Sequence, residues 1–325
     1  MYIHDLPKEA GILKTIDLVA FQMPQRRLKV NIAALGDVGT TMLTGLRLLG
    51  GDCLDRCGMY DINKANLERL EMEMNQIIYP DGSVRVPPVE IVTEETLFDC
   101  DVFIFCATKA VPPVSVGGDV RMAQYEANKG LVKHFACLAR ERKFSGLTCI
   151  VSDPVDPLCR VFLKEAAVPP GYVQGFGLGV MYGRALYYAE KNGIGERFKA
   201  EGRVYGPHGA DLVVADSLKD YDDELSRQLT ERVVTANLVV RDLGYKPYIA
   251  PALSSAALSI LYALRGQWHY GSVWLGDEER GAFMGVRNRF ISGHIEYEDP
   301  DLPDDLYRRI CKAYLALCTL PKEGR

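Results

Sequence analysis

Leu28-Lys-Val-Asn-Ile-Ala-Ala-Leu-Gly-Asp-Val-Gly39 is the stretch of sequence that decides the fold. An apolar strand pattern from Leu28 to Ala34 runs into a glycine-containing turn, and a helical pattern follows from Thr40 to Leu49. A turn of this kind lets the backbone and the first N–H groups of the helix approach a phosphate closely. The stretch therefore predicts the first strand, turn and helix of a parallel α/β sheet.

The chain beyond this stretch continues to alternate strands and helices. Apolar runs at 58–62, 89–93, 101–107 and 147–152 predict buried strands, and the runs at 64–78 and 119–144 predict helices between them. This alternation is typical of a Rossmann-type doubly wound parallel sheet. We predict an N-terminal arm over residues 1–27 and a first, nucleotide-binding domain over 28–160.

The second half of the chain has a looser order of elements. Strand patterns occur at 172–176, 203–205 and 271–290, and helical patterns at 222–243, after 251 and at 304–317. These patterns predict an α+β substrate domain over residues 161–325.

The turn of the first strand predicts a site for NAD. Gly36 and Gly39 are in place, although Ala34 stands where the fingerprint has its first glycine. Asp61 follows 22 residues after Gly39, at the end of the second strand. A carboxylate there accepts the ribose hydroxyls of NAD and repels the 2′-phosphate of NADP. The alternative for Asp61 is a helix-capping role beside Asn63.

Composition and charge exclude several classes of protein. The chain has 325 residues, a net charge of -5 and nine cysteines without the paired spacing of a metal site. The negative balance gives no basic surface for nucleic acid, and no run reaches about 18 apolar residues. We predict a cytoplasmic protein without a metal, a nucleic-acid partner or a membrane partner.

One histidine lies in a glycine-flanked bend after a short strand, in Val204-Tyr-Gly-Pro-His-Gly209. Such a bend can present an imidazole to a cleft. On its own the pattern favours a turn histidine that has no chemical role.

The chain resembles the lactate/malate dehydrogenase family in the order and spacing of five motifs, over roughly residues 28–318. They are Gly36-Asp-Val-Gly39, Tyr60-Asp-Ile-Asn63, Val151-Ser-Asp-Pro-Val-Asp156, Gly206-Pro-His-Gly209 and Gly244-Tyr245. The resemblance implies hydride exchange between NAD and a 2-hydroxy or 2-keto acid. It also implies a homodimer or homotetramer.

The resemblance implies roles for individual residues. His208 matches the histidine that gives or takes the proton, Arg184 the arginine that grips the substrate carboxylate, and Arg121 the arginine that polarises the keto oxygen. The cofactor contacts implied in the same way come from Gly36, Asp37, Val38, Gly39, Asp61, Ile62 and Ala107.

Two positions depart from the family pattern. Met181 stands three residues before Arg184, where the family has the aspartate that orients the histidine. A thioether cannot hold an imidazolium, and loss of an orienting carboxylate costs on the order of 10⁴ in rate in a hydrolase triad. Asp153 stands where the family has an asparagine. We hypothesise that the carboxylate has moved to Asp153, with Asp211 as a second candidate.

The loop from Lys109 to Arg121 is where the resemblance places substrate selection. It contains Pro112 and Pro113 and has no arginine in its middle to meet a second carboxylate. The loop favours a substrate bulkier or more apolar than plain lactate or malate; its alternative is a surface loop without ligand contact. The predicted function is therefore an NAD-dependent 2-hydroxyacid dehydrogenase, and the alternative is an NAD-binding regulatory homologue that has lost efficient turnover.

Overall fold

The computed structural model describes residues 1–109 and 120–319, with side chains for 1–109 and 124–319. Eleven strands lie in these residues: β1 (Leu28–Ala33), β2 (Leu54–Tyr60), β3 (Val89–Ile91), β4 (Val102–Phe105), β5 (Leu147–Ile150), β6 (Val173–Gly175), β7 (Arg203–Tyr205), β8 (Val213–Ala215), β9 (His269–Gly276), β10 (Gly281–Ile291) and β11 (His294–Tyr297).

Ten α-helices lie in the same part of the chain: α1 (Leu6–Glu9), α2 (Asp37–Leu49), α3 (Lys64–Asn75), α4 (Val120–Glu141), α5 (Val155–Ala166), α6 (Leu178–Lys191), α7 (Gly195–Glu201), α8 (Asp223–Asp242), α9 (Ser259–Leu264) and α10 (Asp304–Thr319). A π-helical segment, Pro251–Leu258, leads directly into α9. None of the described helices is long and apolar enough to cross a membrane.

The parallel half of the sheet has the topology that the sequence predicts. β1 pairs in parallel with β2 and β4, and β4, β5 and β6 continue the parallel pairing. The strand order β3-β2-β1-β4-β5-β6 is that of a doubly wound sheet. Its strands β4 and β5 are buried along their full length, as expected for strands covered on both faces. The predicted Rossmann-type α/β fold is confirmed.

The sheet does not end with the parallel strands. Gly175 of β6 pairs with Ser272 of β9, and antiparallel β9, β10 and β11 extend the sheet to nine strands. The paired strands predicted over 271–290 are therefore present, but they are joined to the first half by hydrogen bonds. The predicted boundary near Arg160 falls inside α5. The division into domains stays a prediction.

The N-terminal arm packs against the C-terminal elements. Ile3 and Leu6 are fully buried, and Val19 bridges to His294 on the edge strand β11. The N-terminal ammonium lies 2.8 Å from the Asp301 carboxylate. The arm thereby covers an edge of the sheet that would otherwise present unpaired backbone groups.

Candidate active site

The turn after β1 keeps the shape of a dinucleotide-binding turn although its first glycine is replaced. Ala34 has a φ of 76°, in the left-handed region that glycine usually occupies. A Cβ added to Gly39 would lie 2.2 Å from the Ala34 carbonyl oxygen, so only glycine fits there. Gly36 caps α2 and leaves the first N–H groups of the helix facing the turn. These residues form a cradle that fits a pyrophosphate.

Asp61 follows the last residue of β2, beside this turn. Its carboxylate accepts hydrogen bonds from the backbone N–H of Leu35 at 2.6 Å and of Asn63 at 2.9 Å. The side chain that caps α3 is Asn63, which accepts from the Asn66 N–H. Asp61 is therefore not the helix cap, and its position at the carboxyl edge of β2 is the one that binds a ribose in this fold. Ile62 next to it is exposed.

Lys246, which the sequence did not single out, also reaches the turn. Its ammonium lies 2.9 Å from the carboxylate of Asp37, the first residue of α2. Both side chains are exposed, so the contact contributes little stability by itself. Nothing in the local sequence could have indicated it, because 209 residues separate the pair.

The ends of β4 and β5 meet at the same edge of the sheet. The Ser152 hydroxyl donates to the Ala107 carbonyl at 2.7 Å. Asn128 of α4 is fully buried; its amide group donates to the Asp153 carbonyl at 2.7 Å and accepts from the Lys109 N–H at 2.9 Å. Asn128 was missed in the sequence, where it is one polar residue of a long helix, yet it fixes the backbone on which Asp153 is carried.

His208 is brought to this edge by a bend after β7. Gly206 has a φ of 92°, a value that L side chains rarely adopt, and its N–H donates to the Gly285 carbonyl. A Cβ added to Gly177, which precedes α6, would lie 2.9 Å from the His208 Cβ. The close packing of this glycine lets the histidine lie against the end of β6.

His208 and Asp153 form a hydrogen-bonded pair. The His208 Nδ1 lies 2.8 Å from the Asp153 Oδ1. The imidazole is mostly buried, with 18% of its side chain exposed, while the carboxylate is 40% exposed. Asp211, the second candidate partner, is exposed. The hypothesis of a relocated carboxylate requires a contact between Asp153 and His208, and this contact is present.

Arg184 and Met181 lie one turn apart on α6. Met181 is buried, and its sulfur lies 3.6 Å from the Arg184 Nη1. A second contact of the guanidinium is the Val233 carbonyl at 3.5 Å. Burial lowers the pKa of Arg184, and the charge of Asp153 acts in the opposite direction. A half-buried guanidinium held by a thioether and a carbonyl retains donors for an anion.

Two parts of the predicted site fall outside the described residues. They are residues 110–119 of the loop that begins at Lys109, and the side chain of Arg121. Among the residues with described side chains, no group of three or more His, Cys, Asp or Glu is placed to hold a metal ion.

A doubly wound sheet with a glycine turn after β1 and a carboxylate after β2 defines a dinucleotide-binding α/β protein. Residues 28–175 match the family described as lactate/malate dehydrogenase, NAD binding domain. The L-lactate dehydrogenase of Mycoplasma pneumoniae is 29% identical over 57% of this chain and 57% of its own length. That of Mycoplasmopsis pulmonis is 27% identical over 83% of this chain and 89% of its own length. The part of the chain that the family model matches, residues 28–175, therefore belongs to the lactate/malate dehydrogenase family.

The match to the Mycoplasma pneumoniae protein thus spans little more than half the length of that relative. Two solved structures resemble the whole fold. The minor L-lactate dehydrogenase from Enterococcus mundtii has a TM-score of 0.74 at 19% identity, over 90% of this chain and 97% of that one. The malate dehydrogenase from Picrophilus torridus has a TM-score of 0.73 at 16% identity, over 90% and 95%. At such identities the likeness shows the fold alone.

Proposed function

We propose that the protein is an NAD-dependent oxidoreductase that interconverts a 2-hydroxy acid and a 2-keto acid. The observation that carries this proposal is the 2.8 Å hydrogen bond between the His208 Nδ1 and the Asp153 carboxylate. It supplies the carboxylate that the family has at the position of Met181 and that this chain lacks there. Without such a partner the histidine would have neither a fixed tautomer nor a counter-charge.

The proposed cofactor site lies along the turn after β1 and the neighbouring strand ends. The pyrophosphate would face the N-terminus of α2, and Asp61 would accept the ribose hydroxyls once it releases the Leu35 N–H. The full proposed set is Gly36, Asp37, Val38, Gly39, Asp61, Ile62 and Ala107. When bound, NAD accepts a hydride from the substrate carbon and NADH returns it.

The chain's own residues would hold the substrate and move the proton. Arg184 would bind the carboxylate with two parallel N–H donors. His208 would take the hydroxyl proton in oxidation and give it back in reduction through Nε2, while Asp153 fixes the tautomer from Nδ1. We keep Arg121 as the proposed group that polarises the keto oxygen, on the family resemblance.

The identity of the acid is proposed from the loop sequence. A loop without a central arginine disfavours a malate-like dicarboxylate, and its prolines are compatible with a bulkier or more apolar side chain. Assembly as a dimer or tetramer and location in the cytoplasm remain predictions from the sequence.

A second candidate function is an NAD-binding homologue that does not turn over efficiently. The observation that favours it is Met181, buried beside Arg184 at the position of the missing aspartate. Its sulfur cannot take over the charge of a carboxylate.

A turnover assay separates the two functions. Purified protein is incubated with NADH and a panel of 2-keto acids of different side-chain size, and the nicotinamide absorbance is followed. Turnover with at least one acid supports the dehydrogenase. NADH binding without turnover of any acid supports the second candidate.

Asp153→Asn tests the pair that carries the proposal. Asparagine keeps the shape but not the charge, so kcat should fall by about 10² to 10⁴, and the acid limb of the pH profile should move. Asp211→Asn should leave both unchanged. An Asp153→Asn enzyme with the native pH profile would contradict the role of Asp153.

A further inference from the structure

Asp156 is a buried carboxyl group close to the proposed proton carrier. It is the second residue of α5, three residues after Asp153, and only 3% of it is exposed. Among the residues with described side chains, none hydrogen-bonds one of its oxygens, Oδ1. Buried carboxyl groups are normally paired or hydrogen-bonded on both oxygens, so this one requires an explanation.

The groups around Asp156 define its environment. Burial has the largest influence on the pKa of the carboxyl, and the Ser272 hydroxyl of β9 and the charges of His208 and Asp153 also act on it. The Cys159 thiol, one turn further along α5, also interacts with it. A Cβ added to Gly175 of β6 would lie 2.9 Å from the Ser272 Cβ and 3.0 Å from the Cys159 Sγ, so these groups are tightly packed.

One described charged group of the neighbouring helix forms its ion pair away from Asp156. On α4, which packs along α5, Lys133 pairs with Glu165 at the opposite end of α5. Asn128, nearer to the site, donates to the Asp153 backbone. No ion pair from these groups offsets a negative charge on Asp156.

Two carboxylates near one histidine do not ionise equally. Asp153 is 40% exposed and hydrogen-bonded to the imidazole, whereas Asp156 is buried. Burial raises the pKa of Asp156 to about 7, and the negative charge of Asp153 acts in the same direction. Near neutral pH a proton therefore binds to Asp156.

We infer that Asp156 is a positioning residue of the site, kept as a neutral acid so that Asp153 alone carries the charge that faces His208. Ionisation of Asp156 adds a second negative charge next to the pair and strengthens the hold on the imidazolium proton. The range of pH in which His208 can give up its proton is thereby coupled to Asp156. The catalytic meaning of the inference rests on the proposed function, but the coupling itself exists without turnover.

The test is an NMR titration of the His208 ring in the protein without substrate. The chain has five histidines, and the His208 signal is assigned by its loss in His208→Gln. The chemical shift of the native signal should change in two steps, and the second step, near pH 7, should come from the change of charge on Asp156. Asp156→Asn, which mimics the neutral acid in shape, should remove the second step.

Asp211→Asn is the matched control, because it removes an exposed carboxylate three residues from His208 and should leave both steps in place. Ser272→Ala gives a second route if Asp156→Asn does not fold: without the hydroxyl donor the second step should move to higher pH. A native titration with one step, or a second step that persists in Asp156→Asn, would overturn the inference. Neither result depends on whether any 2-keto acid is turned over.

Discussion

At the scale of single residues, the site is defined by which side chain lies next to His208. Met181 cannot serve the histidine and lies against Arg184. Asp153 serves the histidine, where the family pattern has an uncharged amide. The carboxylate that is missing at Met181 is thus replaced by the carboxylate of Asp153, which contacts His208. This replacement supports a retained proton carrier.

Arg184→Lys tests the proposed carboxylate-binding residue. Lysine keeps the charge but not the planar pair of donors, so KM for the keto acid should rise by about 10- to 100-fold. Affinity for NADH, measured by fluorescence titration, should not change. Arg69→Lys, on the exposed face of α3, is the control. An unchanged KM in Arg184→Lys would show that another group binds the carboxylate.

At the scale of elements, local propensity and tertiary packing disagree at α6. The sequence pattern did not predict this helix, and its glycines lower helix propensity. A Cβ added to Gly179 would lie 2.5 Å from the Ser254 carbonyl oxygen of the π-helical segment. The glycine is therefore required by a close approach between two elements. The helix forms because the packing of α6 outweighs its weak propensity.

The junction of β6, β9 and β10 is held by a buried polar network. The Gln174 amide donates to the Asn288 Oδ1 at 2.6 Å, and the Asn288 amide donates to the Gly271 carbonyl at 3.0 Å. The ring nitrogens of His269 lie 3.3 Å from the Gln174 Oε1 and 3.1 Å from the Gln267 carbonyl, and the neutral ring donates to one of these two oxygens. These bonds satisfy polar groups in the interior of the sheet.

His269 makes this junction sensitive to acid. Burial lowers its pKa from 6.5 to about 4. In the folded protein the His269 ring stays neutral down to about pH 4. In the unfolded chain the same ring takes up a proton below about pH 6.5. The free energy of unfolding should therefore fall by about 3 kcal/mol as the pH drops from 6.5 to 4. Urea unfolding at several pH values measures this slope.

His269→Gln should flatten that slope, since glutamine does not titrate. His294→Gln, at an exposed position of β11, should leave the slope as in the native protein. Equal slopes in native protein and His269→Gln would assign the acid sensitivity to other groups.

At the scale of the whole molecule, the ends of the chain stabilise each other. The arm contributes buried side chains to the same core cluster as α10 and β10. Backbone bonds from Ile16 to Gly276, from Ala20 to Gly293 and from Ile295 to Leu18 join it to the antiparallel strands. The arm is therefore part of the folded body and not an appendage.

Leu6→Ala tests this integration. Leu6 is fully buried, and its truncation should lower the free energy of unfolding by about 2 to 5 kcal/mol. Leu13→Ala is the control, because Leu13 is 86% exposed and should change stability by less than about 0.5 kcal/mol. Urea unfolding measures both. A Leu6→Ala protein as stable as the control would show that the arm is dispensable.

Local sequence was sufficient for the parts of the fold that depend on neighbouring residues. The strand, turn and helix around Gly39, the acid at Asp61 and the parallel sheet all follow from periodicity and from the backbone freedom of glycine. The contacts of Asn128 and Lys246 were not predictable, since each joins segments far apart in the sequence and neither carries a local pattern.

The sequence by itself determined the dinucleotide-binding turn, because its geometry is set within twelve consecutive residues, from Leu28 to Gly39. Only the tertiary structure decided which carboxylate faces His208. Asp153 precedes the histidine by 55 residues and Asp211 follows it by three. The distant one makes the contact, because the bend after β7 is bonded to Gly285 of β10 and packs against Gly177 after β6, beside the end of β5 that carries Asp153. The tertiary structure also decided that the nine strands form one sheet. This depends on the pairing of β6 with β9, which lie far apart in the sequence.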